Sequence, residues 1–364
     1  MGEGKKKVTK QHIDLNNKTI LVTGSPGFIG ASLVIRLLKE LRSGTVISVD
    51  NMNDYYDVSL KERRLKQIEN AAAHSSVKHT FICGSITDRT FVEELHEKYH
   101  FSIVVNLAAQ AGVRYSIDHP DTFIESNIIG FYNILEACRK YPMEHLVYAS
   151  SSSLYGGNKK IPFSTDDPVD HPVSLYAATK KSDELMAHAY SKLYSIPATG
   201  LRFFTVYGPG GRPDMFYYSA ATALVRGEKI KLFNYGNCKR DFTYINDAVE
   251  CIWRVMQGAP ERKTGEDGLP VPPYAVYNVG RGRPENLMDF VRILQEELVS
   301  AGLLPEGYDF EGSNELAPMQ PGDVPVTYAD MSAFEADYGY RPGTDIRDGL
   351  RAFVGWYKKY TADG

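Results

Sequence analysis

The sequence predicts an α/β protein with a doubly wound parallel sheet and a smaller C-terminal α/β lobe. Short, continuously apolar runs alternate with longer segments of helical periodicity over residues 18–204, and a glycine-rich turn joins the first apolar run to the first helical segment. Strands of a parallel sheet are buried on both faces and therefore lack polar alternation, and parallel neighbours need a crossover that is usually a helix. Both observations therefore favour a parallel sheet covered by helices on both faces.

The elements follow one another in the order that such a sheet requires. The predicted strands lie at 18–22, 46–49, 80–83, 103–107, 145–149 and 198–203, and the predicted helices include 28–41, 123–139 and 175–194. Beyond about Thr205 the pattern is less regular, with Gly-Pro-Gly-Gly at 208–211 and a loop rich in proline and glycine at 258–273. We expect a sheet domain over 18–204, to which the chain returns around 235–260, and a second lobe formed mainly by 205–364.

Composition and charge exclude several classes of protein. The chain of 364 residues is long enough to bury a core, and its formal net charge of −4 provides no broad positive field for nucleic acid. No apolar run approaches the roughly 20 residues that span a bilayer, and the N-terminus lacks the apolar segment of a signal peptide. We therefore expect a cytoplasmic protein that binds neither nucleic acid nor a membrane. The four scattered cysteines and nine histidines show no ligand spacing, so no metal site is expected.

The turn after the first strand is suited to a dinucleotide. Gly24, Gly27 and Gly30 are spaced G-x-x-G-x-x-G and lead into a helix that begins with Phe28 and Ile29. Glycine allows the backbone to turn tightly and to approach a pyrophosphate, which the helix N-terminus attracts. Asp50 ends the second strand about 20 residues further on, where a carboxylate binds an adenosine ribose and repels a 2′-phosphate. NAD is favoured over NADP, although Arg63 and Arg64 leave NADP open.

A serine, a tyrosine and a lysine predict proton and hydride transfer. Four serines, Ser150–Ser153, follow the strand at 145–149, and Tyr176 and Lys180 share one helical face at i and i+4. A free phenol ionises near pH 10, but a neighbouring ammonium favours the phenolate, which could take a proton from a substrate hydroxyl. Ser151 would donate a hydrogen bond to the substrate oxygen that becomes a carbonyl as hydride is transferred to NAD. The alternatives are a polar loop and an exposed aromatic residue beside a surface lysine.

The sequence then resembles a known family. The glycine turn, the serine run that ends in Tyr155-Gly156 and the Tyr-x-x-x-Lys spacing resemble the extended short-chain dehydrogenase/reductase family. Strings at 50–56, 108–116, 211–215 and 319–324 resemble the UDP-glucuronate 4-epimerases within it. The resemblance extends from Thr19 to Tyr360. It implies a Rossmann-type sheet, bound NAD, and epimerisation of UDP-glucuronate to UDP-galacturonate through a 4-keto intermediate without decarboxylation. It also implies a homodimer built from the helices at 123–139 and 175–194.

The resemblance also assigns site residues. It implies cofactor contacts for Gly24, Gly27, Phe28, Ile29, Gly30, Asp50, Asn51, Asn53, Ala108, Gln110, Asn127, Tyr176 and Lys180. It implies substrate contacts for Ser151, Ser152, Ser153, Thr205, Arg212, Arg240 and Asp323, of which Arg240 would bind the diphosphate and Asp323 the uridine ribose. Gln320 stands where many relatives have an arginine, and Ser85 where many have an aspartate.

Three other functions stay open at this point. A UDP-glucose/UDP-galactose 4-epimerase would share the catalytic residues but would need no site for a sugar carboxylate. Arg212 and the serine run offer such a site and therefore argue against this function. A UDP-glucuronate decarboxylase is opposed by Ser153, because related decarboxylases and 4,6-dehydratases carry an acidic residue there. A non-catalytic NAD-sensing regulator could keep the fold without Tyr176 and Lys180.

Overall fold

The computed structural model describes residues 9–265, 268–319 and 324–362. Within these ranges the strands are β1 (Lys10–His12), β2 (Thr19–Thr23), β3 (Thr45–Asp50), β4 (Lys78–Cys83), β5 (Ile103–Asn106), β6 (His145–Ser151), β7 (Ala198–Phe203), β8 (Thr205–Tyr207), β9 (Ile230–Leu232), β10 (Lys239–Tyr244), β11 (Gly258–Pro260), β12 (Lys263–Thr264), β13 (Pro270–Val271), β14 (Tyr274–Val279), β15 (Pro284–Asn286) and β16 (Asn314–Leu316).

The helices of the same ranges are α1 (Phe28–Glu40), α2 (Val58–Ala72), α3 (Arg89–Tyr99), α4 (Tyr115–Asp118), α5 (Pro120–Phe123), α6 (Gly130–Lys140), α7 (Leu175–Tyr194), α8 (Phe216–Val225), α9 (Ile245–Met256), α10 (Leu287–Ser300), α11 (Ser332–Tyr338) and α12 (Ile346–Ala362). A π-helical segment, Ile124–Ile129, joins α5 to α6, and short 3₁₀ turns cover Ser152–Tyr155 and Phe233–Gly236.

In the described part of the chain, seven parallel strands form one sheet in the order β14-β7-β6-β5-β2-β3-β4. The predicted fold class is therefore confirmed. β2 pairs with β3 on one side and with β5 on the other, so the strand order reverses at β2. Loops that leave β2 and β5 in opposite directions open a crevice at the carboxyl ends of the strands. The ligand cleft is expected at this reversal.

The unbroken apolar runs are explained by burial on both faces of the sheet. On β2, Ile20 and Val22 pack with α1 and α9 on one face, whereas Leu21 packs with α3 and α6 on the other. Burial of each such side chain stabilises the fold by about 1.5–3 kcal/mol. A polar residue at alternate positions would lose this contribution on one face, which is why the strands show no period of two.

The helix predicted over 123–139 differs from the observed structure in its middle. The chain is helical there, but Ile124–Ile129 forms a wider π-helical segment between α5 and α6. Asn127 lies in this segment and is hydrogen-bonded to Gln110 and Thr179 rather than to solvent. Hydrophobic periodicity does not distinguish a π-helical turn from an α-helical one. The helix predicted over 175–194 coincides with α7, whose N-cap Ser174 accepts a bond from the amide of Ala177.

The C-terminal half builds a second core and also returns to the large sheet. Its core is aromatic, and the rings of Phe242 and Phe290 stack with centroids 3.9 Å apart. β8, β10 and β15 form a small sheet at this lobe in the described part of the chain. The chain then returns to the large domain, where α9 packs on α1 and β14 pairs with β7. The division of the chain near residue 204 stays a prediction.

A buried carboxylate fixes the small sheet to the end of β14. Asp241 on β10 is buried and accepts hydrogen bonds from the backbone amides of Arg281 (2.7 Å), Gly282 (3.0 Å) and Ala329 (2.9 Å). Burial raises the pKa of Asp241 to about 6, although these three amides oppose the shift. The next residue toward the cleft is Arg240, so this junction determines where its side chain begins.

Two features are absent from residues 9–265, 268–319 and 324–362. No helix in these ranges is both long enough and apolar enough to cross a membrane. In the same ranges, no group of three or more histidine, cysteine, aspartate or glutamate side chains is arranged to hold a metal ion.

Candidate active site

A cavity of about 460 Å³ opens at the reversal of strand order. Its walls come from the ends of the strands at the centre of the sheet and from the second lobe. The lining contains nearly every residue that the sequence assigned to the site, namely Gly24, Gly27, Phe28, Ile29, Gly30, Asp50, Asn51, Asn53, Ala108, Gln110, Ser151, Ser152, Ser153, Tyr176, Lys180, Thr205, Arg212 and Arg240. The structure thus brings together residues that lie more than 200 positions apart in the sequence.

The glycine turn leaves no room for side chains. A Cβ atom on Gly24 would lie 2.8 Å from the amide nitrogen of Ala108, and Gly24 has a positive φ of 69°. A Cβ on Gly30 would lie 2.2 Å from the carbonyl oxygen of Gly24, and one on Gly27 would lie 2.8 Å from the same oxygen. The turn therefore packs directly against the end of β5 and presents the N-terminus of α1 to the cleft. Such a cradle fits the pyrophosphate of a dinucleotide.

Asp50 lies at the cleft with a lysine that sequence analysis missed. Its Oδ1 accepts from the amide of Met52 at 2.7 Å and lies 3.5 Å from Nζ of Lys61. Lys61 also donates to the carbonyl and side-chain oxygens of Asn53, at 2.9 and 2.7 Å. Burial lowers the pKa of Lys61, and the carboxylate of Asp50 opposes that shift. Asp50 and Asn53 are thus held in place by one ammonium on α2.

The two arginines that left NADP open point elsewhere. Arg64 is buried and donates to the carbonyls of Pro26, Gly210 and Gly211 at 3.1, 2.7 and 2.9 Å. Arg63 stacks on the ring of Tyr360, with 4.6 Å between its guanidinium carbon and the ring centroid. Neither side chain lines the cleft beside Asp50. Arg64 instead ties the glycine turn to the loop that precedes Arg212.

The serines of the run 150–153 have different hydrogen-bond partners. Ser150 donates its hydroxyl to Glu184 at 2.7 Å, which directs that hydroxyl toward α7. Ser151 ends β6, and its Oγ accepts from both the amide (3.2 Å) and the hydroxyl (2.9 Å) of Ser153. Ser151 and the 3₁₀ turn that follows it thus line the cleft together, with Ser152 and Ser153 in the turn.

Tyr176 and Lys180 enter the cleft from the first turns of α7. Nζ of Lys180 donates to the carbonyl of Ala149 at 3.1 Å and to Oδ2 of Asp183 at 3.0 Å. The ring of Tyr176 packs edge-on against Phe123, with centroids 5.9 Å apart. The phenol and the ammonium therefore lie on the same wall, next to the glycine turn and the serine run.

Arg212 is oriented by an aspartate two residues away. Its Nε and Nη2 donate to Oδ1 and Oδ2 of Asp214 at 2.9 and 2.8 Å, and the hydroxyl of Tyr55 donates to Oδ2 of Asp214 at 3.2 Å. Burial, and then the charge of Asp214, raise the pKa of Tyr55 to about 12, so this phenol stays a donor at neutral pH. One edge of the guanidinium is thereby occupied. Nη2 also donates to Sδ of Met215 at 3.6 Å, so the two N–H groups of Nη1 are those left for a ligand in the cleft.

Two assigned residues are not found in the lining. Asn127 is buried behind the cleft, where it accepts from the amide of Gln110 at 2.8 Å and donates to the carbonyl of Gln110 at 3.1 Å and the hydroxyl of Thr179 at 3.0 Å. It therefore holds Gln110 rather than lining the cavity itself. Asp323, like Gln320, lies outside the described residues.

Several lining residues were not assigned from the sequence. Tyr55 lies in the string at 50–56 that resembles the UDP-glucuronate 4-epimerases, so the sequence contained a signal for it. Phe163 and Thr327 approach from loops with no recognisable motif, and only the folded chain brings them to the cleft.

Comparisons with known proteins agree with this geometry. Residues 20–280 match the model of the NAD dependent epimerase/dehydratase family. The chain belongs to this family. It is 48% identical over 349 residues to Protein CapI of Staphylococcus aureus, a match that covers 94% of this chain and 98% of that protein. It is 42% identical over 352 residues to UDP-glucuronate 4-epimerase 4 of Arabidopsis thaliana, covering 95% of this chain and 76% of that protein.

A solved structure extends the comparison to three dimensions. The fold is similar to that of UDP-glucuronic acid 4-epimerase from Bacillus cereus, which was crystallised with UDP-glucuronic acid and NAD. The TM-score is 0.80 at 28% sequence identity, over 94% of this chain and 99% of the other. The NAD-dependent family and the glycine cradle therefore agree on the cofactor of this cleft.

The close packing at the glycine turn yields a testable prediction. Gly30→Ala would place a methyl group against the carbonyl of Gly24, so the turn must open and the cradle must widen. We expect the variant to bind NAD at least about 10-fold more weakly, which corresponds to about 1.4 kcal/mol. Isothermal titration with NAD measures the change. Gly355→Ala is the matched control, because Gly355 is also helical and a Cβ there meets nothing within 4 Å. Equal NAD affinity of Gly30→Ala and the parent protein would contradict the prediction.

Proposed function

We propose that this chain is a UDP-glucuronate 4-epimerase, which interconverts UDP-glucuronate and UDP-galacturonate. The observation that carries the proposal is the placement of an arginine, Arg212, and three serine hydroxyls in the same cleft as the Tyr176–Lys180 pair. The pair supplies proton transfer, and the arginine with the hydroxyls suits a sugar that bears a carboxylate. Relatives and a structural neighbour that bear this name support the substrate.

The cofactor would be held mainly by backbone. We assign the pyrophosphate to the turn of Gly24, Gly27 and Gly30 with Phe28 and Ile29, and the adenosine ribose to Asp50 with its neighbours Asn51 and Asn53. Ala108 and Gln110 form the wall beside them, and Asn127 supports Gln110 from behind. Bound NAD would supply reversible hydride storage for C4 of the sugar, so the reaction would need no external reductant.

Tyr176 acts as the base and then as the acid. Its phenolate takes the proton of the C4 hydroxyl, while the ammonium of Lys180 stabilises the negative charge. Ser151 donates a hydrogen bond to the oxygen that becomes a carbonyl. After the 4-keto sugar has turned over, the same phenol gives its proton back to that oxygen.

The carboxylate must be held because the 4-keto uronate is a β-keto acid. Such acids lose carbon dioxide when the breaking bond aligns with the carbonyl π system. We assign the carboxylate to Ser152, Ser153, Thr205 and Arg212, which would keep it out of that alignment. Position 153 is a serine, so no carboxylate stands there to move a proton at C5. Arg240 on β10 would bind the diphosphate, and Asp323 stays the predicted contact of the uridine ribose.

The decisive experiment follows deuterium placed at C4 of UDP-glucuronate. We expect UDP-galacturonate that retains the deuterium, because the abstracted hydrogen stays with the bound cofactor. Tyr176→Phe should lower turnover by at least about 10²-fold without loss of NAD binding, as expected for removal of a general base. Tyr194→Phe, at the other end of α7, is the control and should turn over normally.

Other outcomes identify other functions. A UDP-pentose product indicates a decarboxylase, and turnover of UDP-glucose alone indicates an epimerase of neutral sugars. NAD binding with no turnover of either sugar indicates a regulator. Loss of deuterium to solvent would contradict the hydride mechanism itself.

Arg212 should determine selectivity for the charged sugar. Arg212→Gln removes a charge-assisted contact, so kcat/KM for UDP-glucuronate should fall by about 10²-fold, or about 2.7 kcal/mol, and the share of UDP-pentose product should rise. Competition assays with UDP-glucose, in which no carboxylate is present, should show little change in its affinity. Arg283→Gln is the control, since Arg283 is exposed and pairs with Glu285 away from the cleft. Equal losses of affinity for both sugars would refute the assignment.

We also propose a homodimer formed by the helical segments 123–139 and 175–194, the second of which is α7. Both carry large apolar side chains that are exposed, including Ile129 and Tyr132 on the first and Leu185 and Leu193 on α7. Sedimentation should show a dimer, and Leu185→Glu should give a monomer because it places a charge in the interface. Leu269→Glu is the matched control, as Leu185 and Leu269 are each 58% exposed. A parent protein that sediments as a monomer would exclude the dimer.

A cytoplasmic location of this protein stays a prediction.

A further inference from the structure

The lysine of the catalytic pair has a buried counter-charge. Asp183 lies three residues after Lys180 on α7, and the carboxylate Oδ2 is 3.0 Å from the ammonium nitrogen. Lys180 is 3% exposed and Asp183 is 1% exposed. Water therefore screens this ion pair little, and its charges act at close range on neighbouring groups.

The contacts of Lys180 direct its remaining donor. An ammonium has three N–H groups. One donates to the carbonyl of Ala149, a residue that lines the cleft, and another to Asp183, which does not line it. Because Lys180 also lines the cavity, the third N–H is left for the cleft, where Tyr176 lies. Asp183 therefore determines the direction in which Lys180 presents its charge.

The two carboxylate oxygens of Asp183 differ in their contacts. Its Oδ1 is buried and has no hydrogen-bond partner within the described residues. Glu184, the next residue, differs in this respect, because Arg202 donates to both of its carboxylate oxygens at 2.8 Å. A buried oxygen without a donor is unfavourable for stability, so the contact that accounts for the carboxylate at 183 is its ion pair with Lys180.

We propose that Asp183 is a positioning residue that holds Lys180 and tunes the basicity of Tyr176 through it. In general, a neighbouring ammonium favours the phenolate and so makes it a weaker base. The carboxylate of Asp183 offsets part of that effect, so the phenol can both take a proton and give it back, as a reversible epimerase requires. This inference rests on the proposed function for the role of Tyr176.

The charged and titratable groups around Asp183 come from three elements. Lys180 and Glu184 are on α7 itself, Tyr148 is on β6 and Tyr274 is on β14. Glu184 is compensated by Arg202 on β7. Burial raises the pKa of Asp183 to about 6, which Lys180 opposes, so the carboxylate is charged at neutral pH and above. Tyr148 has its pKa raised by burial, and it stays a neutral phenol.

The test is a titration of NAD-loaded protein without any sugar. The near-ultraviolet absorbance of the phenolate is followed against pH for the parent protein, Asp183→Asn and Glu184→Gln, each measured against its own additional Tyr176→Phe variant. Asparagine keeps an acceptor for Lys180 but removes the negative charge that lies 3.0 Å from the ammonium, so the ammonium favours the phenolate more. We expect its appearance to move to lower pH by about one unit. The acid limb of the kcat profile should move in the same direction.

Glu184→Gln is the matched control, because it also neutralises a buried carboxylate on α7 but leaves Lys180 with its partner. It should lose stability, but glutamine still offers an oxygen to Ser150 and Arg202, so the register of α7 and the phenolate titration should stay in place. Unchanged titration in Asp183→Asn, or an equal shift in Glu184→Gln, would overturn the proposal. If Asp183→Asn does not fold, Asp183→Ser takes its place, and failure of both to fold and bind NAD would show a purely structural role. Since the titration contains no sugar, absence of UDP-glucuronate turnover would count against the proposed function and not against this result.

Discussion

The register of α7 on β6 and β7 is the constraint on which the site depends. Three polar contacts of buried groups fix it, namely Lys180 to the carbonyl of Ala149, Glu184 to the hydroxyl of Ser150, and Glu184 to the guanidinium of Arg202. Removal of one partner from a buried ion pair costs about 3–5 kcal/mol, so the helix cannot slide or rotate by one residue. Tyr176 and Lys180 therefore face the cleft as a consequence of contacts made two turns further along and beneath the helix.

A second set of hydrogen bonds joins the two halves of the cleft. Arg64 binds the carbonyl of Pro26 in the glycine turn and those of Gly210 and Gly211 in the loop before Arg212. Tyr55 and Asp214 then orient Arg212 from the other side. The cofactor turn and the loop proposed to hold the sugar are thus one connected unit. Hydride transfer requires the cofactor and the sugar to be in contact. The hydrogen bonds of Arg64 hold their two binding sites at a fixed distance and orientation.

The site residues that could be predicted are those that belong to a short, local sequence pattern. The glycine spacing, the serines after a strand and the i to i+4 relation of Tyr176 and Lys180 are local patterns, and each one lines the same cavity. Side chains whose function depends on a distant partner were not predictable in this way. Arg64 was considered as an NADP contact but is buried against three carbonyls, and Asn127 was assigned to the cofactor but lies behind Gln110. Lys61 and Asp183 carried no motif, because a charged residue on a helix looks the same in the sequence whether it is exposed or buried.

By itself, the sequence determined the parallel sheet, the order of its elements and the chemical groups of the proposed reaction. These follow from short-range rules, since burial on both faces gives unbroken apolar runs and a tight turn beside a pyrophosphate requires glycine. Only the tertiary structure decided the π-helical segment before α6, the return of β14 to the edge of the large sheet, and the partners of Arg64, Arg212 and Lys180. Burial and partner choice depend on residues far apart along the chain, and only packing brings these together.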